Sequence, residues 1–331
     1  MKAIRFHRTG GPEVLVHEDV ATPDPGPGHV RVRVHAAGVN FADTRFRRGE
    51  YFVRPQFPQI PGMEASGVVD ALGDGTTGVA VGDRVMVVGA NTYAEWMLAK
   101  PEDLFPMPAG LGFVEAAALP IQGLTAHHVL GLCGRMQPGE SVLVHAAAGG
   151  VGSLAVQLAK RRGAKLVIAT ASSEAKLALA RDLGADLAID YTRTDWVAEV
   201  RNVTKGLGVD VLLEMLGSTD MLKRNLACLA PFGRMIVFGA ATGDTRGTLE
   251  PVGLMGKNQT VTGYYLTPIL KRRELCVPAL AEMADLACAT TGRLRIVVGQ
   301  TWPLAEAEAA HRALEGRGTT GKVVLTVGGA S

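Results

Sequence analysis

The stretch from Ser141 to Gly152 constrains the fold of this chain more than any other, because three local patterns follow one another there without a gap. Val142 to Val144 is an apolar run typical of a buried parallel strand. Small residues and glycines follow, and an apolar pattern with helical periodicity begins at Leu154. This order predicts a pyrophosphate site, because the first N–H groups of a helix and its dipole favour an anion.

The glycine spacing in this stretch is a variant of the pattern G-x-G-x-x-G, with Ala147, Gly149 and Gly152 at its three positions. We expect Ala147 to form the tight turn, Gly149 to let the backbone approach a phosphate, and Gly152 to let helix and strand pack closely. A lone match of this kind also occurs in turns that bind no ligand. The candidate phosphate-binding residues are Ala148, Gly149, Gly150 and Val151.

Further apolar runs follow in the chain, with helical stretches between them. These runs are Lys165–Ala169, Leu187–Asp190, Val209–Leu213, Arg234–Phe238 and Val261–Tyr264. Strands that alternate with helices predict an α/β fold with a parallel, doubly wound sheet of the Rossmann type. This context favours dinucleotide binding over a glycine-rich turn without a ligand.

The end of the second predicted strand bears on which dinucleotide is bound. Sites that prefer NAD place a carboxylate there for the ribose hydroxyls, whereas this chain has Ser172 and Ser173. Glu174 follows in the first helical turn, where we interpret it as complementing the helix dipole. Ser172, Ser173 and Lys176 can bind a 2′-phosphate, so we expect NADP(H) as the cofactor. A solvated Lys176 on the helix surface is the alternative.

The residues before the stretch have a different pattern. Val30 to His35 alternates apolar and polar residues with the period of a half-buried strand, and short strand patterns separated by glycine-rich turns follow it. This part is predicted to be an antiparallel barrel. Ile269–Ala289 and Ala305–Leu314 are predicted helices and Val323–Leu325 a closing strand, which return to the first domain. We therefore expect one domain from 1–122 and 267–331, and a second from 123–266.

Composition and charge exclude several classes of protein. The 331 residues carry 34 basic and 32 acidic side chains, a net charge of +2, which gives no footprint for nucleic acid. No apolar segment reaches the roughly 18 residues of a membrane helix, and the N-terminus lacks the apolar core of a signal peptide, so we expect a cytoplasmic location. The 4 cysteines form no C-x-x-C pair, which argues against a zinc finger or a disulfide framework.

Several motifs together carry a resemblance that runs almost from end to end of the chain. They are Gly10–Leu15, Ala36–Asp43, Pro61–Gly67, Val81–Val85, Gln157–Lys160 and Ala310–Glu315. With them the chain resembles the medium-chain dehydrogenase/reductase superfamily, and within it the zinc-independent quinone oxidoreductase (zeta-crystallin-like) group. Leu254–Asn258 and Gly263–Leu266 are also similar to the VAT-1-like branch. The resemblance implies a GroES-like β-barrel catalytic domain and a Rossmann dinucleotide-binding domain.

The resemblance also bears on metal chemistry. The zinc alcohol dehydrogenases of the superfamily place a cysteine where this chain has Asn40 and a histidine where it has Met63. Zinc prefers thiolate and imidazole, so we expect no metal. Without a Lewis acid, oxidation of a simple alcohol lacks its usual stabiliser. We therefore expect reduction of a quinone, or of the activated C=C bond of an enone or enal.

The resemblance implies roles for individual residues. At the nicotinamide side of the cofactor, the binding residues would be Asn40, Thr125, Phe238, Gly239, Tyr264 and Tyr265. Lys176 and Tyr191 would flank the adenosine phosphate, and Arg317 or Lys322 would reach a phosphate. The catalytic residues would be Asn40, Asp43 and Tyr51, with Asn40 donating a hydrogen bond to the substrate oxygen. Asp43 as a helix cap, Tyr51 as an aromatic pocket wall and Tyr191 as a packing residue are open alternatives. Arg45 either selects a polar or anionic substrate or is a solvated loop residue.

The sequence thus predicts an NADPH-dependent oxidoreductase that transfers hydride to a small-molecule quinone or activated alkene. Two alternatives stay open, namely an enoyl-thioester or other ene reductase of a biosynthetic pathway, and a non-catalytic NADPH-binding protein. The family commonly pairs subunits through sheet edges. We therefore expect a homodimer through the strands around 234–238 and 261–264, and neither a nucleic-acid nor a membrane partner.

Overall fold

A computed structural model describes residues 1–244, 246–288 and 292–328. The chain forms two compact units. Unit 1 comprises Met1–Gln122 and Arg273–Ser331, and unit 2 comprises Gly123–Arg272. The second boundary thus lies six residues after residue 266, where the sequence predicts it.

The strands and helices of the described residues alternate in unit 2, whereas much of unit 1 consists of strands that follow one another without an α-helix between them. The strands are β1 (Lys2–Arg5), β2 (Val16–Asp19), β3 (Val30–Val39), β4 (Glu64–Leu72), β5 (Arg84–Val88), β6 (Trp96–Ala99), β7 (Leu104–Pro106), β8 (Ser141–Val144), β9 (Leu166–Ala171), β10 (Leu187–Asp190), β11 (Val209–Glu214), β12 (Leu229–Val237), β13 (Thr260–Gly263), β14 (Val298–Pro303) and β15 (Lys322–Thr326). The α-helices are α1 (Phe41–Arg47), α2 (Phe113–Ala117), α3 (Pro120–His128), α4 (Gly150–Arg161), α5 (Glu174–Asp182), α6 (Trp196–Val203), α7 (Thr219–Cys228), α8 (Leu266–Leu270), α9 (Arg273–Ala287) and α10 (Ala307–Glu315). Shorter helical segments are Pro12–Val14, Pro101–Asp103, Val129–Cys133, Pro251–Lys257 and Leu304–Glu306.

Unit 2 is built on a six-stranded sheet in the order β10-β9-β8-β11-β12-β13, and every neighbouring pair is parallel. The predicted doubly wound fold is therefore confirmed. The chain steps outward from β8 to β9 and β10, then returns to β11 on the other side of β8. Ligands of such sheets bind at the carboxyl ends of the strands, at this reversal of strand order. The Ser141–Gly152 stretch lies at that point.

The core of unit 2 explains why its strands read as continuous apolar runs, since both faces of a parallel sheet are covered by helices. Leu143, Ile168, Leu212 and Met235 come from four different strands and are fully buried in one cluster. Trp196, at the start of α6, fills the space beside them and is also buried.

Unit 1 contains a seven-stranded sheet in the order β14-β15-β3-β4-β5-β7, with β6 also paired to β3. Its pairs are antiparallel except β14 with β15. The alternation in β3 places Val30, Val32 and Val34 in the core, as predicted. The returning C-terminal strand β15 pairs with β3, so the domain is discontinuous in sequence.

The predicted helix Ile269–Ala289 is wrong in one respect, because the structure divides it into α8 and α9. Pro268 lies in the first turn of α8, where its missing N–H has no intrahelical partner to lose. The Arg272 N–H then donates to the Ile269 carbonyl at 2.8 Å in a turn that ends α8. Ala289 lies outside the described residues.

Within the described ranges, no helix is long and apolar enough to cross a bilayer.

Candidate active site

The turn after β8 presents the N-terminus of α4 at the carboxyl end of the sheet. Helix α4 begins at Gly150 with Gly149 as its N-cap, and the first intrahelical bond joins the Ser153 N–H to the Gly149 carbonyl at 2.8 Å. The N–H groups of the first turn consequently have no intrahelical acceptor. Since the N-cap has no side chain to accept from them, the turn offers its N–H groups and the helix dipole to an anion.

The structure places Ala147 in the tight turn, as expected, because the Gly149 N–H donates to the Ala146 carbonyl at 2.9 Å across Ala147 and Ala148. Ala146, at the start of this turn, adopts the left-handed conformation, with φ of 48°. The Ala147 N–H donates to the Thr170 carbonyl at 3.1 Å, which ties the turn to β9. The role expected for Gly152 agrees with the packing, because a Cβ there would lie 2.3 Å from the Ala146 carbonyl oxygen. At Gly149 the corresponding distance to that oxygen is 3.2 Å.

The candidate 2′-phosphate residues follow the ends of two neighbouring strands. Ser172 and Ser173 follow β9, and Ser173 is the N-cap of α5 without using its hydroxyl as a cap. Tyr191 follows β10, donates its N–H to the Ala171 carbonyl at 3.3 Å, and has a side chain 42% exposed. Lys176 is half-buried in the first turns of α5. The parallel pairing of β9 and β10 thus places these side chains at one corner of the sheet edge.

The carboxylate of Glu174, which lies beside this corner, forms an ion pair within its own helix. The Glu174 carboxylate accepts from Arg181 at 2.6 Å, and both side chains are exposed. Glu174 lies in the first turn of α5 and Arg181 in its last, where each charge suits the helix dipole. This placement agrees with the dipole interpretation of Glu174.

The candidate nicotinamide-side residues also follow strand ends of unit 2. Phe238 and Gly239 come directly after β12, and Tyr264 and Tyr265 directly after β13. The Tyr264 hydroxyl is hydrogen-bonded to the His128 Nδ1 at 3.2 Å, and its ring is buried. Because all six strands are parallel, these residues lie on the same edge of the sheet as the turn after β8. Thr125 is buried in α3.

Sequence reasoning missed a buried polar network beneath the turn, which we name the unit 2 network and define as Thr170, His145, Asn225 and Glu214. His145 Nδ1 lies 2.8 Å from the Thr170 hydroxyl, and its Nε2 lies 2.8 Å from Asn225 Oδ1. Asn225 Nδ2 donates to Glu214, whose other oxygen accepts from the N–H groups of Leu216 and Gly217.

The unit 2 network has one consistent arrangement of protons. Because the Asn225 amide nitrogen faces Glu214, its oxygen faces His145, so Nε2 carries the proton and Nδ1 accepts from Thr170. Burial lowers the pKa of His145. The sequence signal that could have indicated this network was His145, a polar residue that directly follows the apolar strand β8.

In unit 1, Asn40 lies at the centre of a second cluster of buried polar groups. Its amide oxygen accepts from the Lys322 ammonium at 2.6 Å, and its amide nitrogen donates to Glu64 Oε1 at 2.9 Å. Lys322 also pairs with Glu64 at 2.5 Å, and the other Glu64 oxygen accepts from the Ile121 N–H at 2.8 Å. The side chains of Asn40, Lys322 and Glu64 are buried. Both ends of the Asn40 amide are therefore fixed.

This placement bears on the phosphate role expected for Lys322. Its ammonium is 1% exposed and is already bonded to a carboxylate and an amide oxygen. The arrangement does not support a phosphate contact, and the role stays a prediction. Arg317, the other candidate, is exposed after α10 with φ of 56°.

Asp43 is both a helix-capping residue and a buried acid. Asn40 is the N-cap of α1, and its main-chain N–H donates to Asp43 Oδ2 at 2.7 Å. The same oxygen accepts from the Tyr93 hydroxyl at 3.2 Å, whereas Asp43 Oδ1 has no partner within the described parts of the chain. Burial raises the pKa of Asp43 to about 7, against the lowering effects of the Asn40 N–H and of the Lys322 charge. The carboxyl therefore changes charge near neutral pH.

The remaining candidates lie in and after α1. Tyr51 is half-buried in the bend that follows the helix, with its ring 5.4 Å from that of Phe52, which is 81% exposed. Arg45 is 3.4 Å from Glu50, and its side chain is 16% exposed. Arg45 is thus neither a freely solvated residue nor an uncompensated charge.

No three His, Cys, Asp or Glu side chains are arranged to hold a metal ion anywhere in the residues that the structure describes. At the two positions discussed above, Asn40 bonds Lys322 and Glu64 through its amide, and Met63 is followed directly by β4.

Comparison with known proteins identifies the family. The alcohol dehydrogenase GroES-like domain matches residues 26–130, and the family described as zinc-binding dehydrogenase matches residues 150–284. A quinone oxidoreductase of Pseudomonas aeruginosa is 38% identical over 328 residues, covering 98% of this chain and 99% of that protein. The chain belongs to the quinone oxidoreductase family. The resemblance inferred from the sequence motifs is confirmed.

Two further relatives in this family are similar to the chain over almost its whole length. A 2-haloacrylate reductase of Burkholderia is 38% identical and covers 97% of both chains. The solved structure of the Escherichia coli quinone oxidoreductase complexed with NADPH has a TM-score of 0.91 and 34% identity, and covers 98% of this chain and 100% of that one. The predicted GroES-like and Rossmann-type architecture is confirmed by these likenesses and by the family matches.

Proposed function

We propose that the protein is an NADPH-dependent oxidoreductase that reduces a quinone or the activated C=C bond of an α,β-unsaturated carbonyl compound. The observation that carries this proposal is the open N-terminus of α4 at the carboxyl end of β8, in a chain of the quinone oxidoreductase family. The Escherichia coli relative is complexed with NADPH, and the Burkholderia relative is named for 2-haloacrylate, an activated alkene.

The residues at the edge of the unit 2 sheet fit a phosphorylated dinucleotide. The first turn of α4 provides N–H donors for a pyrophosphate, and Ser172, Ser173 and Lys176 provide hydroxyls and a positive charge for a 2′-phosphate. The nicotinamide supplies hydride when NADPH is bound, and the acceptor takes up one proton as well, which balances the reaction.

The buried cluster of Asn40, Lys322 and Glu64 in unit 1 supplies a hydrogen-bond donor for the acceptor. Lys322 and Glu64 hold the Asn40 amide in one orientation, and one N–H of its two is used by Glu64. The other N–H is the donor that we assign to the oxygen of the acceptor, on which negative charge develops. The Lys322 charge on the amide oxygen polarises this donor further. Tyr51 is our candidate for proton donation, with Asp43 supporting Asn40.

Zinc independence forms part of the proposal. The amide of Asn40 and the thioether of Met63 replace the thiolate and imidazole that zinc prefers. The Lys322 ammonium, bonded to Asn40, places a fixed positive charge next to a position that a cation would need. Added zinc or a chelator should therefore leave turnover unchanged.

A panel of acceptors tests the proposed reaction. Oxidation of NADPH is followed with benzoquinone, naphthoquinone, an enone, an enal, 2-chloroacrylate and an enoyl-CoA, with NADH in parallel. Turnover of quinones or enals is expected. Turnover of the enoyl-CoA alone would favour an ene reductase of a biosynthetic pathway, and NADPH binding without turnover of any acceptor would contradict the reductase.

The cofactor preference has its own test in Lys176→Gln. Loss of one charge-assisted bond to the 2′-phosphate should raise the KM for NADPH about tenfold while the KM for NADH changes little. Lys223→Gln, which removes an exposed lysine on α7, is the matched control and should change neither. Equal effects on both cofactors would remove Lys176 from the phosphate site.

We also propose a homodimer through the sheet edge of unit 2. β13 ends the strand order, so one side of this strand has no neighbour in the described sheet. An open edge of this kind is a template for pairing with a second copy. Val252 and Met255, in the segment just before β13, are 77% and 74% exposed. Light scattering should give the mass of two chains, and the mass of one chain would contradict this arrangement.

A further inference from the structure

Four buried side chains of unit 1 form a continuous series of hydrogen bonds that ends at Asp43. We name this series the directed chain and define it as Arg47, His311, Tyr93 and Asp43. Arg47 Nη1 lies 2.9 Å from His311 Nδ1, His311 Nε2 lies 3.2 Å from the Tyr93 hydroxyl, and this hydroxyl lies 3.2 Å from Asp43 Oδ2. All four side chains are buried.

The direction of every bond in the directed chain follows from the chemistry of its first member. A guanidinium has only donors, so His311 Nδ1 must accept from Arg47 and Nε2 must carry the ring proton. His311 then donates to the Tyr93 oxygen, and the Tyr93 hydroxyl proton is left for Asp43. Burial and the Arg47 charge lower the pKa of His311 to about 3, which agrees with a neutral ring.

Arg47 and Tyr93 of the directed chain are both held in place by further hydrogen bonds. Arg47 also donates to Glu315 Oε1 at 2.5 Å and, through Nε, to the Gly10 carbonyl at 3.1 Å. The main chain of Tyr93 is bonded on both sides, since its N–H donates to Pro61 and its carbonyl accepts from Ile4. The phenol group therefore has little freedom to move away from Asp43.

The directed chain does not conduct protons to solvent. A proton leaving His311 through Tyr93 would have to be replaced at Nδ1, and Arg47, the group that faces Nδ1, does not release protons at any ordinary pH. The chain can thus act only as a fixed set of donors. Its single effect on Asp43 is to favour the charged carboxylate over the neutral acid.

We propose that Tyr93 and His311 are positioning residues of the reductase site, which act by keeping Asp43 in the carboxylate form that accepts from the main-chain N–H of Asn40 and so holds the main chain that carries the Asn40 amide. The inference rests on the proposed function, because the side-chain amide of Asn40 is the donor assigned to the acceptor. Asp43 Oδ2 accepts from the Asn40 main-chain N–H and from the Tyr93 hydroxyl, so each donor supports the oxygen on which the other depends. Neither Tyr93 nor His311 was a candidate from the sequence.

Other groups also act on the charge of Asp43. Lys322 from β15 lowers its pKa and Glu64 from β4 raises it, while the Asn40 N–H and the Tyr93 hydroxyl lower it. Burial outweighs all of these and raises the pKa to about 7. Removal of one donor should consequently be visible near neutral pH and should fade in more alkaline solution.

Tyr93→Phe tests the inference, with turnover of the full-length protein measured at two pH values. Loss of a donor to the carboxylate should move the midpoint of the kcat profile upward by about one pH unit. Turnover should then fall about fivefold at pH 7 and stay within about twofold of the original at pH 8.5, with the Kd for NADPH unchanged. Thr92→Val is the matched control, because the buried Thr92 hydroxyl has no partner in the described residues.

Two variants of His311 separate positioning from simple packing. Gln at this position offers an acceptor to Arg47 and a donor to Tyr93, so His311→Gln should keep the profile of the original protein. His311→Leu leaves the Tyr93 hydroxyl without the donor that fixes its direction, so it should shift the profile in the same direction as Tyr93→Phe but by less. Equal loss of turnover at both pH values, or an unshifted profile in Tyr93→Phe, would overturn the inference.

Carbon-13 NMR of the Asp43 carboxyl group in the cofactor-bound protein distinguishes failure of this inference about Tyr93 and His311 from failure of the proposed function. If the unsubstituted protein reduces no acceptor, the proposed function fails, and titration of Asp43 in Tyr93→Phe still reports on the chain. An upward shift there supports control of Asp43 by Tyr93. An unchanged titration overturns it.

Discussion

The two units each bury a neutral histidine in a polar network that ends on a carboxylate, but the two carboxylates are treated differently. In unit 2, both oxygens of Glu214 accept hydrogen bonds, from Asn225 and from two main-chain N–H groups. In unit 1, Asp43 Oδ2 takes both donors, and Oδ1 takes none from the part of the chain that the structure describes. One buried acid is thus fully supplied with donors, and the other is not.

This difference bears on where a proton can bind. A buried carboxylate oxygen without a partner among the described residues, such as Asp43 Oδ1, is a natural place for one. The unit 2 network lies under the turn after β8 and fixes its shape. Asp43, with a pKa raised to about 7, lies beside Asn40 and can change charge in the range in which enzymes work.

The largest expected effect comes from Glu214→Gln. The amide nitrogen that replaces one oxygen would face a donor, either Asn225 or the main-chain N–H groups. Two donors without an acceptor in a buried site should lower the free energy of unfolding by about 2–3 kcal/mol. Urea unfolding followed by tryptophan fluorescence, to which the buried Trp196 of unit 2 contributes, measures this loss. A loss below about 0.5 kcal/mol would show that Glu214 does not depend on its charge.

The same change in unit 1, Asp43→Asn, should have an effect that depends on pH. The amide oxygen of the substituted side chain can take the place of Asp43 Oδ2. Its amide nitrogen then replaces Asp43 Oδ1, which has no partner among the described residues. Because the folded pKa of about 7 lies above the ordinary value of 3.8, the folded state binds the extra proton between these values, and stability of the original protein falls as pH rises through them. Asp43→Asn lacks this fall.

The stability of Asp43→Asn relative to the original protein should therefore improve from pH 5 to pH 7 by up to about 2 kcal/mol. Thermal unfolding of both proteins across this range measures the difference. A difference that does not vary with pH would show that Asp43 is ionised throughout and would weaken the contrast with Glu214.

His311→Gln should change the pH dependence in the opposite direction. The folded pKa of about 3 lies below the ordinary value of 6.5, so the unfolded chain binds more protons between these values and stability falls as pH falls through them. The variant removes this loss and should gain about 1–2 kcal/mol relative to the original protein between pH 6.5 and pH 5. If the stability of both proteins falls equally as the pH is lowered, His311 is not a neutral buried residue.

The sequence predicted most of unit 2 because its signals are local. The six parallel strands and the glycine-rich turn depend on apolar runs and on the spacing of Gly149 and Gly152, which a reader of the chain can see directly. The left-handed conformation of Ala146, with φ of 48°, was not predicted, because a left-handed alanine carries no sequence signal. Single-residue backbone angles are thus less predictable than elements.

The polar networks were not predictable, because their members are far apart in the chain. His311 meets Arg47 and Tyr93 only after β3, β4 and β15 have paired, and separations of more than 200 residues leave no periodic pattern. Lys322 was given a phosphate role from resemblance alone, whereas the structure places it against Glu64. A buried partner of a charged side chain is decided by tertiary packing, which local patterns do not report.

The smallest expected effects come from one substitution made at two buried threonines. Thr170 donates to His145 Nδ1 at 2.8 Å, so Thr170→Val leaves a buried nitrogen without a donor and should cost about 1–2 kcal/mol. The Thr92 hydroxyl has no partner in the described residues, so Thr92→Val exchanges an unsatisfied group for a methyl group and should be neutral or stabilise by up to about 1 kcal/mol. Unfolding of both variants at one pH measures the two signs. Equal losses would mean that the hydroxyl of Thr92 is bonded as well, and the contrast between a fully paired network in unit 2 and an incompletely paired one in unit 1 would then fail.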